Sequence, residues 1–597
     1  MAELIRRAYS NFRGVDFANE ASLVNLSRSP DALNVWKNYN DVQSECIETR
    51  PGIQLLGTIG TKIMGIYIFS TSKAIVHSGT SLYEWSNFPD EPTNETLREL
   101  FTSMDRNNRT SFNKFGEYLY INDGTNYLRY DGENLTEVSQ DAFIPTTTIG
   151  RSPSGGGEMY QDVNLLTSKR KNSFVADGTS TQYVLDAVGI TRVDEVLVDG
   201  VEVQNYTVNE GTGTITFDTA PTAPALSQDN VIITFTKDVI GYTDRISQCT
   251  KALIWDNRMF YTGNPMYPNV LFHSKLNDPT YISDLSYYED GNSDSAIKDI
   301  VVGSDVLWVF KDKDQNNANV FYHTKATEDT GNIYPSKQGN VETGCYATAI
   351  NFLDDIVYLS RNGLQGIITA QLDNKQIISP RSHLVNSKLT NNSDYYNAQM
   401  ENWNGYLLIL VGDEIYLADS RQKAEYLSSY EYEWYLWKFS VTPTLLKSYN
   451  GKMYIGTNDG KIFLVDGTND DGQVINSYWT TPMDNFKYPN HYKTTNKRGG
   501  IAKIKTIPNG KVKVAEMTNK RPEEKDIAQY SATGFDFSNV DFSNFSFVTA
   551  NQSYIVYKIK EKKFTELGLK LYSDELDKPF GIYSIIIETF IGGYVKK

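Results

Sequence analysis

Short apolar runs separated by Asn, Asp and Gly constrain the fold of this chain more than any other feature. Apolar runs at 452–456 and 461–465 flank the turn sequence Asn458-Asp459-Gly460. Gly460 can adopt a positive φ because it has no Cβ, and Asn or Asp before it tolerates the same region. The pattern therefore predicts a tight β-hairpin.

Similar hairpin patterns recur along much of the chain. A lone hairpin is marginal in water, so recurring hairpins must bury their apolar faces against one another. The 40 Tyr, 27 Phe and 8 Trp residues also favour strands over helices. We therefore predict an all-β protein, an irregular β-propeller of roughly six or seven blades by analogy with known propellers. The further hairpin patterns lie at 63–85, 118–138, 252–262, 305–323, 353–370 and 404–420.

Two interruptions of the hairpin pattern divide the chain into predicted domains. The sequence SPSGGGE at 152–158 is typical of a flexible linker, and the Gly-punctuated short strands that follow predict a small β-sandwich inserted between two blades. After Trp479 the hairpin pattern stops again. The predicted domains are an N-terminal arm (1–56), a split propeller (57–150 and 241–479), an inserted β-sandwich (151–240) and a C-terminal β domain (480–597).

The formal net charge is −16, so the surface as a whole repels nucleic acid. Residues 487–525, the basic segment, instead carry eleven Lys/Arg and three Glu, a local excess of +8 that leaves −24 for the remainder. One interpretation is a solvated basic hairpin, and the other is a docking surface for an acidic partner or a neighbouring subunit. The residues of the candidate docking surface are Lys497, Arg498, Lys503, Lys505, Lys511 and Lys513.

The residue patterns predict neither an enzyme nor a bound cofactor or metal. The five histidines are scattered, and no phosphate-binding loop, nucleophile elbow or dinucleotide fingerprint is present. Strand-rich glycosidases use a pair of carboxylates, but the candidates here lie at predicted turns, where Asp stabilises the turn through its own hydrogen bonds. These candidates are Asp256, Asp354, Asp355 and Asp459.

Two further patterns each leave two interpretations open. The run 290–294 matches the first, third and fifth ligands of a calcium loop, but Ser295 replaces the required Gly and Val301 the bidentate Glu, which favours a solvated loop. The aromatic run 430–439 (YEYEWYLWKF) could stack against sugars, although a strand buried on both faces explains it without a ligand.

Three widely separated cysteines argue against a disulfide framework and favour folding in a reducing compartment. The N-terminal residues contain no apolar core of signal-peptide length, and the longest apolar runs are too short to cross a bilayer. We therefore expect a protein that is made in a cytoplasm and is not inserted in a membrane.

Three local patterns resemble the tailed-phage nozzle proteins, also called packaged-DNA stabilisation or head–tail stopper proteins. They are the opening segments NFRGVDF, SRSPDALNVW and ETRPGI, the hairpins that follow, and the closing FGIYSIIIETFIGGYVKK. The inserted run with DGTST, VDG and GTGTITF is similar to a small β-sandwich module of phage virion proteins.

This resemblance implies a structural virion protein located in the tail and assembled in the host cytoplasm. Nozzle proteins form a ring, typically six-fold, below the portal and adaptor, where they retain packaged DNA and form the channel for its ejection. DNA is expected to pass through the lumen without sequence-specific binding. The main alternative is a propeller that binds or cleaves surface glycans as a receptor-binding tail protein.

Overall fold

The protein is described by a computed structural model. In the described residues the strands form twelve sheets, and the helices are limited to the single turns Asp244–Ser247 and Asn386–Leu389 and the 3-10 turn Tyr395–Asn397. The chain divides into two compact units: Met1–Ser78 with Glu84–Arg98 and Cys345–Lys597, and Gly79–Tyr83 with Glu99–Gly344. The structure describes residues 3–40, 45–226, 228–312, 319–328, 331–339, 343–369, 376–419, 432–532 and 552–595.

The second unit contains three four-stranded antiparallel sheets of the propeller-blade type, blades 2 to 4 in chain order. The first strand of blade 3 packs against the first strands of blades 2 and 4. A small hairpin, Ala326–Glu328 with Gly331–Ile333, lies within blade 4. The strands are Ser111–Phe115, Tyr118–Asn122, Tyr127–Tyr130 and Leu135–Glu137 (blade 2), Lys251–Trp255, Arg258–Thr262, Val270–His273 and Tyr287–Glu289 (blade 3), and Ile297–Gly303, Val306–Lys311, Val320–His323 and Ser336–Gln338 (blade 4).

The first unit contains blades 5 to 7, and the division between the units passes through blade 1. Blade 7 takes its fourth strand, Ile53–Thr58, from the start of the chain, so distant segments complete one sheet. The strands are Ile63–Ser70, Lys73–Ser78, Ser81–Trp85 and Leu97–Phe101 (blade 1), Ala349–Phe352, Asp355–Ser360, Gly363–Thr369 and Gln376–Pro380 (blade 5), Gln399–Trp403, Tyr406–Val411, Glu414–Asp419 and Glu433–Lys438 (blade 6), and Pro443–Tyr449, Lys452–Thr457, Lys461–Val465 and Ile53–Thr58 (blade 7).

Turn chemistry explains why blades 3 to 7 begin with a tight hairpin. In each, two residues with positive φ join the first two strands, as a type I′ turn requires. The predicted turn at Gly460 is also present, with φ 83°, and a Cβ there would lie 2.7 Å from the carbonyl oxygen of Thr61. The five turn pairs are Asp256-Asn257, Ser304-Asp305, Leu353-Asp354, Asn404-Gly405 and Asn450-Gly451.

The predicted inserted sandwich is present in the second unit, as two sheets packed over their own core. Tyr183 lies at its centre, with its ring 5.3 Å from Phe174 and 5.0 Å from Phe217. The six-stranded sheet contains Glu158–Met159, Thr146–Arg151, Lys169–Phe174, Val231–Thr236, Arg192–Val198 and Val201–Glu202, and the three-stranded sheet contains Gln182–Val184, Thr214–Phe217 and Tyr206–Asn209.

The C-terminal β domain incorporates strands from the N-terminal arm. Leu4–Ser10 pairs with Gly581–Tyr594 over seven residues, and Phe12 packs edge-on against Trp479 at 5.1 Å. The seven-stranded sheet contains Val35–Lys37, Ile47–Thr49, Gly581–Tyr594, His491–Lys505, Gln552–Tyr557, Leu4–Ser10 and Lys562–Phe564, and the five-stranded sheet contains Ala32–Leu33, Ser477–Thr480, Leu567–Ser573, Gly510–Thr518 and Arg521–Ala532.

The predicted fold class, an irregular β-propeller with an inserted β-sandwich and a C-terminal β domain, is confirmed by this strand pairing. Within the described ranges, no helix combines the length and apolar character needed to cross a membrane.

Candidate functional site

The basic segment occupies two sheets of the C-terminal domain. Lys503 and Lys505 lie on the strand His491–Lys505, and Lys511 and Lys513 lie on Gly510–Thr518 of the other sheet. Lys497 is exposed at an irregularity of the first of these strands. The side chain of Arg498 lies outside the described residues.

Carboxylates of the same chain pair with three of the six residues of the candidate docking surface. Lys505 pairs with Glu48 at 2.6 Å, and Lys511 pairs with Glu575 at 2.5 Å. Lys513 pairs with Asp574 at 2.6 Å, and these contacts raise its pKa because they stabilise the ammonium. Three of the six candidate residues therefore stabilise the domain itself, and docking of an acidic partner at this surface stays a prediction.

A second group of lysines carries positive charge without an ion pair in the described part of the chain. We call Lys497, Lys520, Lys558, Lys560, Lys562 and Lys563 the lysine surface; all six side chains are exposed. The sequence interpretation missed four of them because they lie outside residues 487–525. The signal was visible as the run KIKEKK at 558–563.

The run with calcium-loop spacing binds a cation that belongs to the chain itself. The carbonyl oxygens of Asp290 and Asn292 accept hydrogen bonds from the Lys311 ammonium at 2.8 and 2.6 Å. Residues 291–294 are exposed, in agreement with the solvated-loop interpretation, but Asp290 is fully buried and pairs with His323 at 3.0 Å. The described residues contain no cluster of three potential metal ligands.

The buried Asp290–His323 pair predicts a pH-dependent stability. Burial lowers the pKa of His323, but the hydrogen bond and charge of Asp290 raise it more, so the net pKa lies above its ordinary value of 6.5. The stabilisation is fully present below pH 6.5 and is lost as the pH rises through the folded pKa. We expect His323→Gln to cost about 1.5–3 kcal/mol at pH 6 and progressively less towards pH 9, measured as the difference in Tm from wild type.

The exposed His383 provides a matched control, because His383→Gln should leave the Tm unchanged over the same range. His273 affects the pH dependence of stability in a different range. Burial lowers its pKa to about 4, so its contribution changes between pH 4 and pH 6.5. A Tm difference for His323→Gln that stays constant from pH 6 to 9 would contradict the prediction.

The candidate carboxylates mostly serve turns and ion pairs. Asp256 and Asp354 are at positive-φ turn positions, and Asp459 lies in the turn of blade 7, where it accepts a hydrogen bond from Thr457 at 2.5 Å. Asp355 instead begins a strand and pairs with Arg381 at 3.1 Å. The predicted turn position is therefore confirmed for Asp256, Asp354 and Asp459 and is wrong for Asp355, and the Asp256 carboxylate accepts from Lys325, Asn332 and Tyr334 rather than from its own turn.

The aromatic run is a buried strand. In Glu433–Lys438, Trp434 and Trp437 are each 1% exposed, and Tyr435 is fully buried, so aromatic rings pack on both faces. The buried-strand interpretation is confirmed for the described residues, and Tyr430 lies outside them. No face of this strand is open to a sugar.

A small cleft in the second unit combines hydroxyl groups with one carboxylate. It has a volume of about 180 Å³ and is lined by Thr125, Tyr127, Glu137, Thr243 and Ser247, among others. The hydroxyl of Tyr127, one of the lining residues, is 2.6 Å from that of Tyr261.

No family model and no curated protein matches the chain. Among solved structures, the chain is similar to BamB from Moraxella catarrhalis, with 8% identity, a TM-score of 0.32 and coverage of 69% of this chain and 99% of BamB. It is similar to the computationally designed protein Ika8, with 10% identity, a TM-score of 0.30 and coverage of 69% and 99%. An exo-β-1,3-galactanase from Phanerochaete chrysosporium matches with 9% identity, a TM-score of 0.20 and coverage of 56% and 94%. Such low scores carry no argument about function.

Proposed function

We propose that this chain is a structural virion protein of a tailed phage, a ring-forming nozzle below the portal and adaptor that retains packaged DNA and forms the channel for its ejection. One observation supports the proposal most directly. The two ends of the chain, which carry the sequence resemblance, belong to a single sheet: Leu4–Ser10 and Ile47–Thr49 both pair with Gly581–Tyr594.

The arm segment between these strands also packs closely against blade 6. The Val15 amide donates to the Trp434 carbonyl at 2.8 Å, and a Cβ on Gly14 would lie 2.3 Å from that oxygen. Backbone hydrogen bonds therefore join the opening segments to the closing strand and to blade 6. This packing supports a structural role for the ends of the chain.

The proposal is tested by measuring the mass of the purified chain alone and with the portal–adaptor complex of the same phage. We expect a closed ring of several copies on the portal. A chain that stays monomeric and binds glycans saturably would contradict the nozzle and support the receptor-binding alternative, for which Glu137→Gln in the 180 Å³ cleft is the first variant to test. A monomer that binds neither the portal nor glycans would contradict both.

To test whether the candidate docking surface contributes to ring assembly, a variant is needed that leaves the fold intact. Charge reversal at Lys505, Lys511 or Lys513 would place a carboxylate beside Glu48, Asp574 or Glu575 and so disturb the domain itself. Lys497 has no such pair in the described part of the chain and is exposed. We expect Lys497→Glu to weaken assembly of the ring without lowering the Tm, and full assembly would remove Lys497 from the contact.

A further inference from the structure

We infer that the lysine surface binds the phosphate backbone of double-stranded DNA without sequence preference. The lysine surface shares only Lys497 with the candidate docking surface, and the inference does not depend on a place in a virion. Three observations support it. Six exposed lysines lie in one region of the domain, three of them alternate along the chain, and the neighbouring carboxylates bind other residues.

Strand pairing brings together lysines that are distant in sequence. Lys562–Phe564 pairs with the strand His491–Lys505 at Lys493 and Thr494, three residues before Lys497. The Thr495 hydroxyl donates to the Ile559 carbonyl at 2.8 Å. This hydrogen bond holds the residues around Ile559 beside the strand His491–Lys505. The lysines at 558–563 and Lys497 therefore share one region of the sheet.

Lys520 lies in the same region, on the turn between Gly510–Thr518 and Arg521–Ala532 of the five-stranded sheet. The Asn519 side chain accepts a hydrogen bond from the Thr565 amide at 2.8 Å, which links the turn to the residue after Lys562–Phe564. The Lys520 ammonium lies 5.4 Å from the centre of the Tyr492 ring, so its stem is directed along the strand His491–Lys505.

The lysines of 558–562 are arranged in a regular order. Ile559 is fully buried whereas Lys558, Lys560 and Lys562 are exposed, an alternation typical of extended backbone. Alternate residues of an extended chain lie about 7 Å apart. That spacing is twice the axial rise of about 3.4 Å per phosphate on one DNA strand. Lysine ammonium groups on flexible stems are suited to such contacts, because each acts as a point charge.

The one carboxylate within the lysine run does not neutralise it. Glu561 is directed towards Arg521 at 3.0 Å, and Arg521 also pairs with the fully buried Glu516 at 3.0 Å. Glu588, the nearest carboxylate of the last strand, accepts a hydrogen bond from Asn496 at 3.0 Å. The positive charge of the lysine surface is therefore available to an external polyanion although the whole chain carries −16.

The test is binding of the full chain to a fluorescent duplex of mixed sequence, followed by anisotropy between 50 and 200 mM salt. With four to six phosphate contacts, the slope of log K against log salt should be about −4 to −5. The variant Lys558→Gln, Lys560→Gln, Lys562→Gln, Lys563→Gln should bind at least about tenfold more weakly at 50 mM salt and reduce that slope by about 3.

The control replaces four ion-paired lysines with exposed side chains elsewhere in the chain, Lys251, Lys325, Lys438 and Lys461, by Gln and so changes the net charge equally. It should bind as wild type does. Equal loss in both variants, no binding at 50 mM salt, or equal affinity for poly-glutamate of the same charge would overturn the inference. Each of these outcomes leaves the mass test of the nozzle unaffected.

Discussion

Replacing Arg50 by Met is expected to lower the stability of the first unit by about 3–5 kcal/mol. The Arg50 guanidinium is fully buried and binds both carboxylate oxygens of Asp470, at 2.8 and 2.7 Å. It also donates to the side-chain oxygen of Asn34 at 2.9 Å and lies 3.9 Å from the Phe439 ring centre. Met would leave the Asp470 carboxylate buried without its counter-ion, which is the costly part of the change.

The measurement is the Tm of the purified variant together with its soluble yield. Arg50→Lys should fall between wild type and Arg50→Met, because one ammonium cannot bind both oxygens of Asp470 in the same fork. The exposed Arg192–Asp194 pair is the control, and Arg192→Met should leave the Tm unchanged. A Tm for Arg50→Met equal to that of the control would contradict the role of Arg50 in joining the arm to blades 6 and 7.

Replacing Asn164 by Ala is expected to lower the stability of the second unit by about 2–4 kcal/mol. Asn164 is fully buried, and its amide nitrogen donates to the carbonyls of Phe143 and Thr280 at 2.8 and 2.9 Å. Its side-chain oxygen accepts from the amides of Leu166 and Ile282 at 3.1 and 3.0 Å. Ala would leave the Phe143 carbonyl and the Leu166 and Ile282 amides without their Asn164 partner, whereas the Thr280 carbonyl still accepts from the Phe143 amide at 3.2 Å.

This loss should be visible as a lower Tm and as faster proteolysis at the segment that leads into the inserted sandwich. Asn164→Asp is a second variant, because a carboxylate can accept from the two amides but cannot donate to the two carbonyls. Asn205 is exposed, and Asn205→Ala should behave as wild type. Unchanged proteolysis in Asn164→Ala would show that other contacts hold this segment in place.

The hairpin pattern was sufficient to predict the fold class, but two blade turns lack the Gly or Asn that is typical of such turns. Leu353-Asp354 and Ser304-Asp305 adopt positive φ at both positions, although neither pair contains Gly or Asn. Here the pairing of the flanking strands determines the turn against the local preference of its residues. The sequence therefore predicts the presence of blades, but it does not predict well where each blade begins.

The charge distribution was harder to interpret than the fold, because proximity in sequence does not show which charged side chains form ion pairs. The window 487–525 included Lys511 and Lys513, which Asp574 and Glu575 neutralise from the loop after the neighbouring strand Leu567–Ser573. It excluded the lysines at 558–563, which strand pairing places beside Lys493 and Thr494. Only the register of the sheets separates paired lysines from available ones.

Buried polar residues such as Arg50 and Asn164 were also invisible to sequence reasoning. Asn164 lies after the Gly-rich turn between Thr146–Arg151 and Glu158–Met159, in a stretch without periodicity, and its four partners lie as far as 118 residues away in the chain. Such contacts depend on how the loops meet, which no local pattern encodes.

A density map of the phage particles, with this chain located in it, tests the central claim most directly. The nozzle proposal predicts several copies of the chain in a closed ring on the tail axis below the portal and adaptor. Copies placed at the tips of fibres or spikes, away from the axis, would contradict it.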